Sequence, residues 1–141
     1  MSNFNEINLN QQLYNAIEDL GYKHQTPIQE ETFSKILSGK DVVGIAQTGT
    51  GKTIAYCLPL LQELSYSTQT NPRILILVPT RELVAQVVET LNQLTKYITC
   101  RIIGVYGGTN MNTQKIWLQD GADIIVATPG RLYDLALCRA L

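Results

Sequence analysis

The sequence predicts an α/β fold of three layers, with helices on both faces of a parallel sheet. Short apolar runs alternate with helix-like repeats, the order that produces βαβ units. The run Ile74–Val78 is apolar without alternation, which is typical of a strand buried on both faces. The glycine-rich stretch Ala46–Thr53 lies between an apolar run and a helix candidate, the setting of a phosphate-binding loop.

The first two predicted elements are helices. Residues 9–20 carry Leu13, Ile17 and Leu20 at helical spacing, and Gly21 ends the pattern. A second helix opens at Thr26-Pro27, because threonine is a good N-cap and proline a good first helical residue. We expect this helix to end before Gly39.

The phosphate-binding loop is predicted between a strand at 42–45 and a helix that begins near Thr53. Pro59 lies inside that helix pattern. Proline removes a backbone donor at a cost of roughly 3 kcal/mol, so we expect it to kink or shorten the helix unless neighbouring residues compensate.

A polar loop at 65–72 precedes the rest of the chain. The elements predicted after it are a strand at 74–78, a helix at 82–96, a strand at 101–106, a polar loop and short helix at 107–118, a strand at 124–127 and a helix from Pro129.

Composition limits the chain of 141 residues to one domain at most. No apolar run has membrane-spanning length, and the polar start contains no signal-peptide core.

The three cysteines show no zinc or disulfide spacing and are expected to be reduced thiols of a cytoplasmic protein. The net charge of −1 means that a nucleic acid would need a local binding site. With one histidine, His24, a Ser-His-Asp triad or a His-rich metal site is disfavoured.

The loop residues are suited to a polyphosphate. Two glycines let the backbone turn several N–H groups inward, and the following helix adds its positive end. Lys52 would reach the outer phosphates, and the Thr53 hydroxyl would ligate Mg²⁺. The alternative is a chance glycine-rich turn before a helix. The candidate nucleotide-binding residues are Ala46, Gln47, Thr48, Gly49, Thr50, Gly51, Lys52 and Thr53.

Further stretches give the chain a resemblance to DEAD-box ATP-dependent RNA helicases. Gly21–Gln29 resembles the Q motif of that family, and Phe4 lies upstream where the family keeps an aromatic residue. The resemblance covers nearly the whole chain. The other matches are Ala46–Thr53 with motif I, which has alanine at its first position, Pro79–Leu83 and Gln86 with motif Ia, Gly107-Gly108 with the glycine pair, and Thr128–Arg131 with motif Ib.

The resemblance implies that Phe4, Tyr22 and Gln29 recognise the adenine of ATP. An aromatic ring can stack on a base, and a glutamine amide can pair with adenine N6 and N7. From the residues alone, a local role remains equally open, because Thr26-x-x-Gln29 is also a capping box and Tyr22 could belong to the core. The family usually has proline where this chain has Gln25, and we expect that change to loosen the loop.

The resemblance also implies a surface for single-stranded or short duplex RNA, bound through its backbone without sequence preference. Alternatively, Thr80 and Thr128 are plain helix caps, and the arginines are solvated surface charges. The residues implied in RNA binding are Pro79, Thr80, Arg81, Gly107, Gly108, Thr128, Pro129, Gly130 and Arg131.

The chain contains no Asp-Glu dipeptide, and the family's Asp-Glu-Ala-Asp motif would follow Leu141. We therefore expect residues 1–141 to be part of the N-terminal RecA-like domain, with the second such domain absent. The 141 residues alone are expected to be inactive and marginally stable, because the sheet neighbours of strand 42–45 would be missing.

Two other functions remain open at this stage. One is a P-loop ATPase acting on a ligand other than RNA, such as a DNA translocase or a motor subunit. The other is a non-catalytic module that binds nucleotide or RNA without turnover. ATP and Mg²⁺ are the expected cofactors in the favoured interpretation.

Overall fold

The computed structural model describes residues 2–141, which divide into two compact units. The first contains the residues up to Ser65 together with Gln93–Ile98, and the second contains Tyr66–Asn92 and Thr99–Leu141. The α/β class and the parallel sheet predicted from the sequence are confirmed.

The first unit is helical. A short 3-10 helix, Phe4–Glu6, is followed by α1 (Gln11–Asp19), α2 (Pro27–Leu37) and α3 (Lys52–Glu63). The predicted starts at Thr26-Pro27 and near Thr53 are confirmed within one residue. Helices α2 and α3 pack against each other. The largest fully buried side chains of this unit are Leu13, Ile17, Leu58, Leu61 and Leu94.

Pro59 lies inside α3, where it is buried, and the helix continues to Glu63. Pro59 therefore does not end α3, and the buried face of this helix includes Leu58 and Leu61 on either side of Pro59. Packing of this apolar stripe outweighs the loss of one backbone hydrogen bond.

The prediction of a strand at 42–45 was wrong. Residues 41–47 form no strand, and Val43 and Ile45 are 90% and 91% exposed. A strand needs a hydrogen-bonded neighbour, and within residues 2–141 no segment pairs with this one. The local apolar pattern was therefore insufficient to form the strand.

The second unit is built on a three-stranded sheet. The strands β1 (Ile74–Leu77), β2 (Ile102–Val105) and β3 (Ile124–Ala127) lie in the order β1-β3-β2, all parallel. Ile124 of β3 is in register with Ile74 and with Ile102. The helices that follow these strands along the chain are α4 (Arg81–Leu94), whose last two residues belong to the first unit, α5 (Met111–Gln119) and α6 (Pro129–Leu137).

Burial differs among the strands. Every residue of the central strand β3 is buried. On β1, however, Leu75 and Leu77 are each 52% exposed, so the expectation that this strand is buried on both faces was wrong. The side chains of a strand alternate between its faces, and one apolar face of β1 is only partly covered here. The continuous apolar run showed that both faces of β1 are apolar, but it did not show whether other elements cover both faces.

The amino ends of the strands meet at Asp123, which is 3% exposed. Its carboxylate accepts hydrogen bonds from the Arg73 guanidinium at 2.9 Å and from the Arg101 guanidinium at 3.0 Å. It also accepts one from the Arg101 backbone N–H at 2.8 Å. Burial alone would raise the pKa of Asp123, but the bonds from Arg101 and Arg73 outweigh it and lower the pKa to about 2.

Candidate functional site

The predicted phosphate-binding loop lies at the amino end of α3. Gly49 and Gly51 both have left-handed backbone conformations, with φ of +82° and +83°, which glycine adopts without steric cost. The exposed Lys52 donates from Nζ to the Ala46 carbonyl at 2.6 Å. The loop is thereby closed by its own lysine, and the ammonium group lies at the rim of the turn.

Gln29 connects the start of α2 to this loop. Its Oε1 accepts a hydrogen bond from the Thr26 backbone N–H at 2.9 Å, and its Nε2 donates to the Gly51 carbonyl at 3.1 Å. A Cβ on Gly51 would lie 2.3 Å from Gln29 Nε2, so a larger residue at position 51 would displace the Gln29 amide from this bond. The local role considered for Gln29, in which its side chain reaches back to the backbone at the start of α2, is therefore realised.

The features of the loop fit a polyphosphate. Left-handed glycines, a helix amino end and a lysine at its first position are the groups that bind phosphate. For Mg²⁺ the loop offers the half-buried Thr53 hydroxyl, and Mg²⁺ commonly takes few protein ligands beside phosphates and water. Among residues 2–141, no cluster of three or more histidine, cysteine, aspartate or glutamate side chains could hold a metal.

Phe4 and Tyr22 lie together, as the adenine hypothesis requires. Both line a cavity of about 330 Å³ near the start of the chain, where Tyr14 adds a third ring. Tyr22 is 49% exposed, so the alternative that it belongs to the core was wrong. Phe4 is buried, and Gln29 does not line this cavity. The structure thus brings two of the three proposed adenine residues together.

The expectation that Gln25 loosens the loop before α2 was also wrong. Gln25 is buried, and its Nε2 donates to Ser2 Oγ at 2.8 Å. Its backbone N–H donates to the Ser2 carbonyl at 2.9 Å, a bond that proline could not make. The glutamine therefore ties the loop to the start of the chain.

In the second unit, the three segments implied in RNA binding lie at one edge of the sheet. Pro79 follows β1, Gly107 follows β2, and Thr128 follows β3. Because the strands are parallel, their carboxyl ends share an edge. Helices α4, α5 and α6 all begin after these strand ends, so their amino ends add partial positive charge there.

Thr80 and Arg81 at this edge have different partners. The Thr80 hydroxyl caps α4 by accepting from the Leu83 backbone N–H at 3.2 Å, so the helix-cap alternative is realised for this residue. Arg81 is exposed and pairs with its exposed neighbour Glu82 at 3.2 Å, an interaction worth little in water. A Cβ on Gly108 would lie 3.6 Å from the Arg81 guanidinium, which places this cation beside the glycine pair.

Arg131 is not a solvated surface charge. Its guanidinium donates to the Thr109 carbonyl at 3.1 and 3.2 Å and to Gln114 Oε1 at 2.9 Å. Sequence reasoning missed Gln114, which is 1% exposed. The available signal was a polar residue four positions before Leu118, on the apolar face of α5.

The model of the DEAD/DEAH box helicase family matches residues 26–140. The chain belongs to the DEAD/DEAH box helicase family. Within residues 2–141 of this helicase-family chain, no helix combines the length and the apolar content that a membrane span requires.

Two bacterial relatives of this DEAD/DEAH box chain show what it resembles. It is 43% identical over 132 residues to the ATP-dependent RNA helicase DeaD of Escherichia coli, covering 93% of this chain and 21% of the relative. It is 44% identical over 134 residues to the DEAD-box ATP-dependent RNA helicase CshA of Bacillus cereus, covering 95% of this chain and 25% of the relative. The chain thus spans a quarter or less of the length of these relatives.

Two solved structures share the fold of this DEAD/DEAH box chain. A DEAD box protein from the hyperthermophile Methanococcus jannaschii superimposes with a TM-score of 0.90 at 34% identity, over 99% of this chain and 38% of that one. A hypothetical ATP-dependent RNA helicase from Sulfolobus tokodaii gives 0.83 at 37% identity, over 94% and 38%. The fold described above is therefore shared with part of each of these two proteins.

Proposed function

We propose that this chain binds ATP at the loop 46–53 and RNA at the carboxyl edge of its sheet. The natural protein that contains it would couple ATP hydrolysis to RNA binding and to the separation of short duplexes, in the cytoplasm. The observation that supports this most directly is the loop itself, in which left-handed glycines and Lys52 stand at the amino end of α3.

Lys52 is the residue proposed to bind the outer phosphates of ATP. In the structure its ammonium group is bonded to the Ala46 carbonyl, a neutral acceptor. A phosphate is a stronger acceptor, because both partners are then charged. Lys52 would therefore exchange Ala46 for phosphate when ATP binds. Thr53 would hold Mg²⁺, which neutralises phosphate charge when bound.

Recognition of adenine is proposed for Phe4, Tyr22 and Gln29. The rings line one cavity, and Tyr22 has an exposed face on which a base could stack. The Gln29 amide uses one donor and one lone pair within the protein, and an amide has two of each. A second pair of bonds to adenine N6 and N7 is thus chemically open to Gln29.

RNA binding is proposed for exposed backbone and cations at the sheet edge. The Gly107 and Gly108 amides, the Arg81 guanidinium and the helix amino ends offer donors to phosphate oxygens. These groups read the backbone and carry no base information. We therefore propose binding that does not depend on RNA sequence.

The test of the ATP site is Lys52→Ala, with Lys35→Ala as the matched control. Lys35 is an exposed lysine on α2. We expect Lys52→Ala to weaken the binding of a non-hydrolysable ATP analogue about 50-fold, because charged hydrogen bonds to phosphate are lost. Calorimetric titration measures this. Equal affinity of both variants, or equal competition by GTP, would contradict the nucleotide assignment.

The comparison of RNA with DNA tests the second half of the proposal. Turnover of ATP by the natural protein should rise with single-stranded RNA and much less with DNA of the same length. Equal stimulation would instead indicate a P-loop ATPase with another ligand. Binding of both ligands without phosphate release would indicate a non-catalytic module.

A further inference from the structure

The loop after β2 is fixed from the inside by Gln114. The buried Nε2 of this residue donates to the Tyr106 carbonyl at 3.1 Å and to Thr109 Oγ1 at 2.6 Å. The Thr109 hydroxyl in turn donates to the same Tyr106 carbonyl at 2.9 Å. One side chain from α5 therefore holds both ends of the turn that contains the glycine pair.

Arg131, in the first turn of α6, is directed into the same network. Two of its nitrogens donate to the Thr109 carbonyl, and one of them also donates to Gln114 Oε1. We call this pair the Gln114–Arg131 bracket. Both terminal nitrogens of the Arg131 guanidinium donate hydrogen bonds within the protein, so Arg131 differs from the exposed Arg81.

The Gln114–Arg131 bracket joins two segments at the carboxyl edge of the sheet. On one side are Gly107 and Gly108, which are exposed, and Gly108 has a φ of +80°. Within residues 2–141, the N–H groups of these two glycines donate no hydrogen bond. On the other side is the start of α6 at Pro129, two residues before Arg131. Free backbone donors are thus held at a fixed distance from a helix amino end.

We propose that Gln114 is a positioning residue for RNA binding, and that Arg131 acts with it by fixing the glycine-pair loop against α6. This inference rests on the proposed RNA site. Phosphate binding by backbone donors is strong only where those donors are already in place, because ordering a mobile loop opposes binding. Gln114 touches no RNA in this scheme and acts through the loop.

The first test replaces Gln114 with methionine, which has nearly the same length but cannot form the three hydrogen bonds. The control is Gln119→Met, the same change at an exposed site on α5. In the natural protein, anisotropy of a labelled single-stranded RNA should show Kd about tenfold higher for Gln114→Met and unchanged for Gln119→Met. The Kd of an ATP analogue should stay unchanged in both variants, which a general loss of structure would not produce.

The second test separates the bracket from direct phosphate contact by Arg131. A residue that neutralises an RNA phosphate contributes roughly 0.7 to the slope of log Kd against log salt. In Arg131→Gln we expect weaker RNA binding with the slope unchanged. A reduced slope would overturn the bracket, because it would show that Arg131 binds a phosphate directly.

The outcomes distinguish the inference from the function on which it rests. If the unsubstituted protein fails to bind RNA, the proposed function is wrong. If it binds RNA and Gln114→Met binds equally well, only the positioning role is wrong. If Gln114→Met does not fold, Gln114→Glu tests the positioning role instead. Glutamate keeps the oxygen that accepts from Arg131 but lacks the N–H group that donates to the Tyr106 carbonyl. We expect that variant to bind RNA more weakly than the unsubstituted protein, and equal affinity would overturn the role.

Discussion

Asp123 stabilises the second unit at the point where the three strands begin. Its carboxylate is bonded to two arginines, and its backbone carbonyl accepts from the N–H groups of Arg73 and Ile74. A buried carboxylate is costly unless it is paired and hydrogen-bonded, and this one is both. The cluster depends on the negative charge, since without it two cations would face each other.

Asp123→Asn should therefore destabilise the protein. The arginines are partly exposed, so we expect a loss of about 2 kcal/mol in the free energy of unfolding, below the range for fully buried pairs. Glu82→Gln, which breaks the exposed pair with Arg81, should have a much smaller effect on stability, because water screens that pair. Urea unfolding followed by circular dichroism measures both, and equal effects would contradict the role of burial.

The same residue predicts a dependence on pH. The pKa of Asp123 falls from 3.8 to about 2 on folding, so its contribution is complete above about pH 5 and is lost as the pH falls through 2. At about 1.4 kcal/mol per pKa unit this fall corresponds to about 2.5 kcal/mol, which water around the partly exposed arginines reduces to about 2 kcal/mol. The difference in unfolding free energy between the unsubstituted protein and Asp123→Asn should shrink over this range. A constant difference would show that Asp123 does not titrate as described.

At the scale of elements, the approach of α4 to β2 depends on a glycine. A Cβ on Gly104 would lie 2.8 Å from Val84 Cγ1 and 3.1 Å from Val88 Cγ2, both on α4. The helix can lie this close to the strand only because no side chain separates them. Neither valine can rotate freely, since branched side chains have few rotamers.

Gly104→Ala should thus lower stability by about 1–2 kcal/mol through overpacking. Gly130→Ala is the matched change at a helical glycine where a Cβ would meet no atom within 4 Å, and it should leave stability unchanged or raise it slightly. Thermal unfolding of the two variants checks the difference. A higher melting temperature for Gly104→Ala would show that α4 moves away from the strand without cost.

Elements that depend on neighbouring residues could be predicted from the sequence, whereas elements that depend on residues far away in the sequence could not. Thr26-Pro27 fixed the start of α2 because caps act on the adjacent backbone. The segment 42–45 failed because strand pairing depends on residues far away in sequence.

The same distinction applies to the candidate site. The loop before Lys52 was found from local spacing, and its glycines do adopt the left-handed backbone conformations that such a turn needs. The inward roles of Gln25, Gln114 and Arg131 depend on tertiary partners up to 23 residues away, which no local pattern reveals.

At the scale of the whole molecule, apolar side chains remain exposed on segments of strand-like sequence. Val43 and Ile45 are almost fully exposed, and Leu75 and Leu77 are half exposed on an edge strand. Exposed apolar strand edges promote pairing between chains. The marginal stability expected for the 141 residues alone remains a prediction, and a cooperative melt at high temperature would contradict it.

The isolated 141 residues should accordingly self-associate as concentration rises. Replacing both Val43 and Ile45 with threonine, which keeps β-propensity but lowers hydrophobicity, should reduce this association. Leu137→Thr, at an exposed position on α6, is the control and should have a smaller effect. Static light scattering across a dilution series measures the association. A monomer at every concentration would contradict the prediction.

The Asp123 cluster lies at the amino ends of the strands, whereas the residues proposed to bind RNA follow their carboxyl ends. Selection for heat tolerance and selection for turnover would therefore act on opposite rims of one sheet. A library randomised around the arginine cluster can be screened for survival at high temperature without first discarding clones that have lost their ligand.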